Sequence, residues 1–109
     1  MAEFNIGTRC VQAGYTPGNG EPRQIPIIQS TTFKYATSPD MGKLFDLEAD
    51  GYFYTRLANP TNDYVAAKIA ELEGGTAAML TSSGQAANFF AMFNLAGCGD
   101  HIVSSSSIY

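Results

Sequence analysis

The sequence predicts an α/β protein on a mostly parallel sheet, and three observations carry that prediction. Residues 76–81 form a short apolar run that passes through the small-residue turn Ser82-Ser83-Gly84 into an apolar stretch over 84–96, the order strand, tight turn, buried helix. After the turn Gly97-Cys98-Gly99-Asp100, a second apolar run at Ile102-Val103 reads as the next strand, over 101–104. Ahead of both, residues 60–73 carry the punctuation of a helix: Asn59 as N-cap, Pro60 in the first position, Asp63 near the positive end, and Gly74-Gly75 as the stop.

The N-terminal half is less regular. Residues 8–13 make a short amphipathic piece of one or two helical turns, and 14–21 are rich in turn formers. Residues 25–35 are β-branched and aromatic, hence extended, but Pro26 lacks a ladder donor and argues against a central strand. The first ~50 residues read as an irregular arm, too long for an uncovered loop in a compact domain, and arms of this kind pack on a neighbouring subunit. The expected organisation is an arm over 1–58 and the start of a larger domain over 59–109. In the helix over 60–73, Val65, Ile69 and Leu72 share a face, and Lys68 stands three residues before Glu71, in reach of a weak pair. The helix over 84–96 is apolar almost all round, with Ser83 as N-cap and Gly97 as stop, so burial on most sides is expected. A parallel sheet needs cover on both faces, and two strands do not make a stable one. The chain therefore reads as an N-terminal fragment of a larger protein.

Composition narrows the function. The 109 residues are 45% hydrophobic with a formal net charge of -4. A basic stripe is lacking, which speaks against nucleic acid as a partner. No apolar run approaches the ~20 residues of a bilayer crossing, and the N-terminus does not read as a secretory signal, so the cytoplasm is the expected compartment. Cys10 and Cys98 lack metal-ligand spacing and read as free thiols. No metal site is expected.

The segment Ser82-Ser83-Gly84-Gln85 has the strongest chemical character. A strand-to-helix turn brings free N–H groups and the positive end of a helix dipole to one point, and Gly84 lets a ligand approach the backbone. The guest such a site suits is an anion, a phosphate above all. Taken alone, an ordinary Ser-capped helix accounts for the same residues. Tyr54 and Arg56 fall on one side of an extended segment, where a guanidinium fork and a phenol suit phosphate or carboxylate; a surface arginine beside a core tyrosine is the plainer account. Tyr109 follows a strand at the edge where open α/β sheets bind ligands, and could stack on a flat ring or simply pack. His101 has no nucleophile beside it, and Lys34, Lys43 and Lys68 are not placed for burial.

In order along the chain, Thr8-Arg9-Cys10-Val11-Gln12-Ala13-Gly14, the proline-containing arm from Ile25 to Phe33, Tyr54-Thr55-Arg56 with Asn59-Pro60-Thr61, Ser82-Ser83-Gly84-Gln85-Ala86-Ala87, and Gly99-Asp100-His101-Ile102-Val103 leading to Tyr109 resemble the Cys/Met-metabolism family of pyridoxal-phosphate (PLP) enzymes. The resemblance covers nearly the whole chain. It implies the N-terminal part of a PLP-dependent transferase fold, fold type I, with the cofactor-binding domain beginning after the arm. It implies that Ser83, Gly84 and Gln85 bind the cofactor phosphate within their own subunit, and that Tyr54 and Arg56 reach the phosphate of a neighbour in a homo-oligomer, a dimer of dimers. Tyr109 would stack over the pyridine ring and help in proton transfer. The family's Schiff-base lysine and its arginine for the substrate carboxylate would lie beyond Tyr109, leaving residues 1–109 inactive alone. Gln85, and the insertion-like Met41-Gly42-Lys43-Leu44-Phe45-Asp46-Leu47, resemble the O-acetylhomoserine sulfhydrylase branch, which implies an amino-acid substrate and replacement of its acetate by sulfide or a thiol. Methionine γ-lyase and the cystathionine γ-synthases and lyases are the alternatives within the family. A phosphate-binding scaffold module is the alternative outside it.

Overall fold

The computed structural model describes residues 4–109. They hold four helices: α1 (Ile6–Gln12), α2 (Ser38–Phe45), α3 (Pro60–Glu73) and α4 (Gly84–Leu95). The chain divides into two compact units, one ending at Met79 and the other spanning Leu80–Tyr109.

In the first unit, α3 has the bounds its punctuation predicts. Asn59 is extended, at φ -143° and ψ 134°, and its side chain accepts from Thr61 N. Gly74 closes the helix in the left-handed region, φ 68°. Helix α1 starts on Asn5, whose side chain accepts from Thr8 N at 3.0 Å, and packs against α3. Gly14 makes that approach possible. It has φ +82°, and a Cβ there would lie 2.4 Å from the Tyr64 carbonyl oxygen and 2.6 Å from Lys68 N.

The docking redirects the charges of α3. The sequence places Lys68 and Glu71 for a pair on the helix surface, but both turn to α1 instead. Arg9 Nε donates to Glu71 Oε1 at 3.2 Å, and the same guanidinium donates to the Glu71 carbonyl. Lys68 Nζ donates to Val11 O at 3.2 Å. An exposed i,i+3 pair is worth only a few tenths of a kcal/mol. A last-turn carbonyl of α1, which has no partner inside its own helix, competes successfully for the ammonium.

Within the stretch expected to be irregular, the structure adds α2. Its N-cap Thr37 accepts from Asp40 N at 3.3 Å and donates to Asp40 Oδ2 at 2.7 Å. Leu44 is buried at 4% exposure, and the Phe45 ring lies 4.5 Å from that of Phe53. Ser38-Pro39-Asp40 and Gly42 read locally as turn formers, which hides the helix from propensity. Burial of Leu44 supplies what propensity lacks. The chain on either side of α2 meets as an antiparallel pair: Thr32 bridges Tyr54, Phe33 N donates to Phe53 O at 3.3 Å, and Thr55 N donates to Thr31 O at 2.9 Å. The Tyr35 hydroxyl donates to Tyr52 O at 2.8 Å and closes the far end.

In the second unit, α4 begins on Ser83, and Ala86 N donates to its Oγ at 3.1 Å. The helix stops at Leu95, one residue before the expected end. None of its side chains is buried, although burial on most sides is what the composition predicts. Phe89 is 58% exposed and Phe93 73%, stacked on each other with centroids 5.5 Å apart. The expected strands over 76–81 and 101–104 do not form: no strand ladder is present among the described residues. A parallel strand is defined by its neighbour, and neither segment has one here.

Gly14→Ala tests the α1–α3 contact. It forces a Cβ against two backbone atoms at a positive φ, and it is expected to cost about 2–4 kcal/mol. Glu71→Ala, which removes the carboxylate of an exposed pair, is expected to cost less than about 1 kcal/mol. Denaturant unfolding of both variants reads the difference; similar losses would contradict the close-approach account.

Candidate functional site

The start of α4 leaves donors without acceptors. Ser83 satisfies Ala86 N through its hydroxyl and Ala87 N through its carbonyl, at 3.1 Å each. Among the described residues, nothing accepts from the N–H of Gly84 or Gln85. Unpaired N–H groups at a helix start seek an anion, with the helix dipole behind them. A Cβ built at Gly84 meets nothing within 4 Å, so packing among the described residues does not require a glycine there. The Thr81 hydroxyl donates to Ser83 O at 2.9 Å and ties the turn to the segment before it.

Tyr54 and Arg56 lie in the first unit and are brought together, though across a turn over 55–57 rather than on one side of the extended segment expected. The Arg56 guanidinium sits over the Tyr54 ring, 5.1 Å from its centroid. Such a contact is worth roughly 0.5–1 kcal/mol at an exposed site. It orients the cation without neutralising it, because the ion pair formed among the described residues is Arg9–Glu71. Arg56 therefore keeps its fork free. Leu57 N and Ala58 N both donate to Tyr54 O, at 2.9 and 3.2 Å, so the chain turns sharply into Asn59 and α3.

Beside this pair, Tyr52 is half-buried and ordinary titration is suppressed. Burial pushes its phenol up to about 12, and the neighbouring Asp63 carboxylate and Tyr64 push the same way. Sequence reasoning singled out neither Tyr52 nor Asn59 as more than a neighbour and a cap. The signal for Asn59 was present in the unbroken run from Tyr54-Thr55-Arg56 to Asn59-Pro60-Thr61. Its three hydrogen bonds require the fold to be seen: Nδ2 donates to Ile28 O at 3.0 Å and to Thr55 Oγ1 at 3.1 Å, and Oδ1 accepts from Thr61 N at 2.9 Å.

In the second unit, the Tyr109 side chain is 97% exposed, and Gln85 Nε2 donates to Tyr109 O at a long 3.4 Å. Cys10 and Cys98 are exposed thiols. No helix among the described residues is long and apolar enough to cross a membrane.

A model of the family described as "Cys/Met metabolism PLP-dependent enzyme" matches residues 7–109. The chain belongs to that family. The cofactor of the family is pyridoxal 5'-phosphate, and open main-chain donors such as those of Gly84 and Gln85 suit an anionic phosphate tail. The chain is 48% identical over 88 residues to the homocysteine/cysteine synthase of Kluyveromyces lactis, covering 81% of the chain and 20% of that protein. It is 43% identical over 108 residues to the O-acetyl-L-homoserine sulfhydrylase of Corynebacterium glutamicum, covering 98% of the chain and 25% of that protein. A crystal structure of an O-acetylhomoserine (thiol)-lyase from Campylobacter jejuni, which holds a pyridoxyl-lysine phosphate adduct, superposes with a TM-score of 0.78 at 34% identity over 90% of the chain and 24% of that protein. The fold is thus the N-terminal part of a PLP-dependent transferase of fold type I. The chain spans about a fifth to a quarter of the length of these relatives.

Tyr52 gives the first unit an alkaline signature. Its folded-state value, about 12, lies above the 10.0 of a free phenol, so its contribution to stability is full below pH 10.0 and is lost as pH rises towards about 12. Tyr52→Phe is expected to flatten the fall of stability across that window, read from denaturant midpoints at a series of pH values. An unchanged slope would contradict the burial of this phenol.

Proposed function

We propose that residues 1–109 open a longer, cytoplasmic, homo-oligomeric enzyme that uses PLP to replace the acetate of O-acetylhomoserine by sulfide or a thiol. The bond from the γ-carbon to the acetate oxygen breaks, a carbon–sulfur bond forms, acetate leaves, and the product is homocysteine or methionine. In this reading residues 1–58 are the arm and 59–109 begin the cofactor-binding domain. The single observation that carries it is the acceptor-less N–H pair at Gly84 and Gln85, opening a helix in a chain of a PLP-dependent family. The sulfhydrylase and synthase names of the relatives support the choice of substrate.

PLP supplies an electron sink for the negative charge that develops beside the substrate amino group. The residues of this chain do the holding. Gly84 and Gln85 offer main-chain donors to the phosphate, and Ser83 sets their direction by capping the same helix turn. The helix end favours an anion by roughly 0.3–2 kcal/mol, a modest hold for a doubly charged group. Tyr54 and Arg56 would complete the hold from a neighbouring subunit, with a charge-assisted fork and a phenol. That division of labour requires two subunits at the least, and the family resemblance implies a dimer of dimers. Tyr109 would lie against the cofactor ring and help to move a proton near the substrate.

Arg56→Ala in the complete protein is expected to weaken PLP binding by about ten-fold or more, the loss of a hydrogen bond to a charged group. Equilibrium dialysis against PLP measures it, and unchanged affinity would remove Arg56 from the site. Sulfide-dependent release of acetate from O-acetylhomoserine tests the reaction. Breakdown of methionine to a thiol and a 2-oxo acid would favour the lyase alternative, and a complete protein that binds no PLP would favour the scaffold.

A further inference from the structure

Asn59 is the one buried polar residue among those described, at 3% exposure. A cap needs only one acceptor atom, yet this side chain uses both ends. While Oδ1 caps α3, Nδ2 donates outward to two other segments, to Ile28 O at 3.0 Å and to Thr55 Oγ1 at 3.1 Å. Thr61 doubles the tie to the extended segment: its hydroxyl donates to Pro26 O at 2.7 Å and accepts from Ile28 N at 2.9 Å. Thr55 is held in turn, since its N–H donates to Thr31 O at 2.9 Å and its hydroxyl donates to Ser30 O.

Thr55 is the residue between Tyr54 and Arg56. It lies in the turn that Leu57 N and Ala58 N close on Tyr54 O, so tying down its N–H and its hydroxyl fixes the short stretch of backbone from which both neighbours project. The Arg56 guanidinium has no ion-pair partner among the described residues, so its place is set by the backbone beneath it and by the Tyr54 ring. We propose that Asn59 is a positioning residue for the Tyr54–Arg56 clamp, acting through the hydroxyl of Thr55 to fix where the guanidinium is presented to the phosphate. The proposal rests on the reading of Arg56 given above.

Asn59→Asp separates the two uses of the side chain. It keeps the cap acceptor and the volume, but it removes both N–H donors and turns a carboxylate oxygen towards Ile28 O. In the complete holoprotein, Asn59→Asp is expected to weaken PLP binding by about ten-fold while Arg56 is present, and by less than about two-fold in an Arg56→Ala background. A merely structural role would give equal losses in both backgrounds, and that result would overturn the proposal. So would an unchanged PLP affinity in Asn59→Asp when Arg56→Ala lowers it. If Arg56→Ala itself leaves PLP affinity unchanged, the clamp reading has failed, and a loss on Asn59→Asp alone would then report general destabilisation and overturn the positioning role too. Should Asn59→Asp not fold, Thr55→Val, which removes the hydroxyl link and keeps the shape, carries the same comparison with the same outcomes.

Discussion

The carboxamide of Asn59 is withdrawn from water at the point where three stretches of the first unit meet, and each of its polar atoms must therefore find a partner in the protein. That requirement makes the region cooperative. The extended chain around Ile28 cannot move away without stranding a donor, α3 cannot begin elsewhere without losing its cap, and the segment carrying Tyr54 and Arg56 is bound to both. A buried donor left unmade costs about 1–3 kcal/mol, several times what an exposed contact contributes. The half-buried and exposed aromatics around it, Phe45 against Phe53 and Phe33 against Tyr52, add area but not this exactness of register.

The two features proposed to hold the phosphate share a physical principle: positive potential left without a partner among the described residues. At α4, the donors of Gly84 and Gln85 meet no acceptor and the helix dipole adds to them. At Arg56, stacking on a ring orients the cation while leaving its hydrogens free. Arg9 and Lys68, by contrast, are committed to structure, where they join α1 to α3.

Much of this was legible along the chain. Asn59, Pro60, Asp63 and Gly74 announced α3, and Ser83 and Gly84 announced α4, because caps and stops are decided within a few residues of the backbone they satisfy. The candidate residues were legible for a similar reason, since a small-residue turn and a Tyr-x-Arg spacing are local statements. Helix α2 was not legible. Its interior holds Gly42, its first turn holds Pro39, and it exists because Leu44 finds cover. The partners of Lys68 and Glu71 were equally hidden, for they belong to a segment some sixty residues earlier, Arg9 lying 62 residues from Glu71.

The sequence by itself determined where the well-capped helices begin, which residues could face an anion, and the family, because each of these is written in short, ordered runs. Tertiary structure alone decided that Asn59 serves three segments at once, that α1 takes the charges of α3, and that α4 shows its phenylalanines uncovered among the described residues. Those outcomes turn on which distant atoms compete for the same donor or the same apolar surface, and no local pattern encodes the winner.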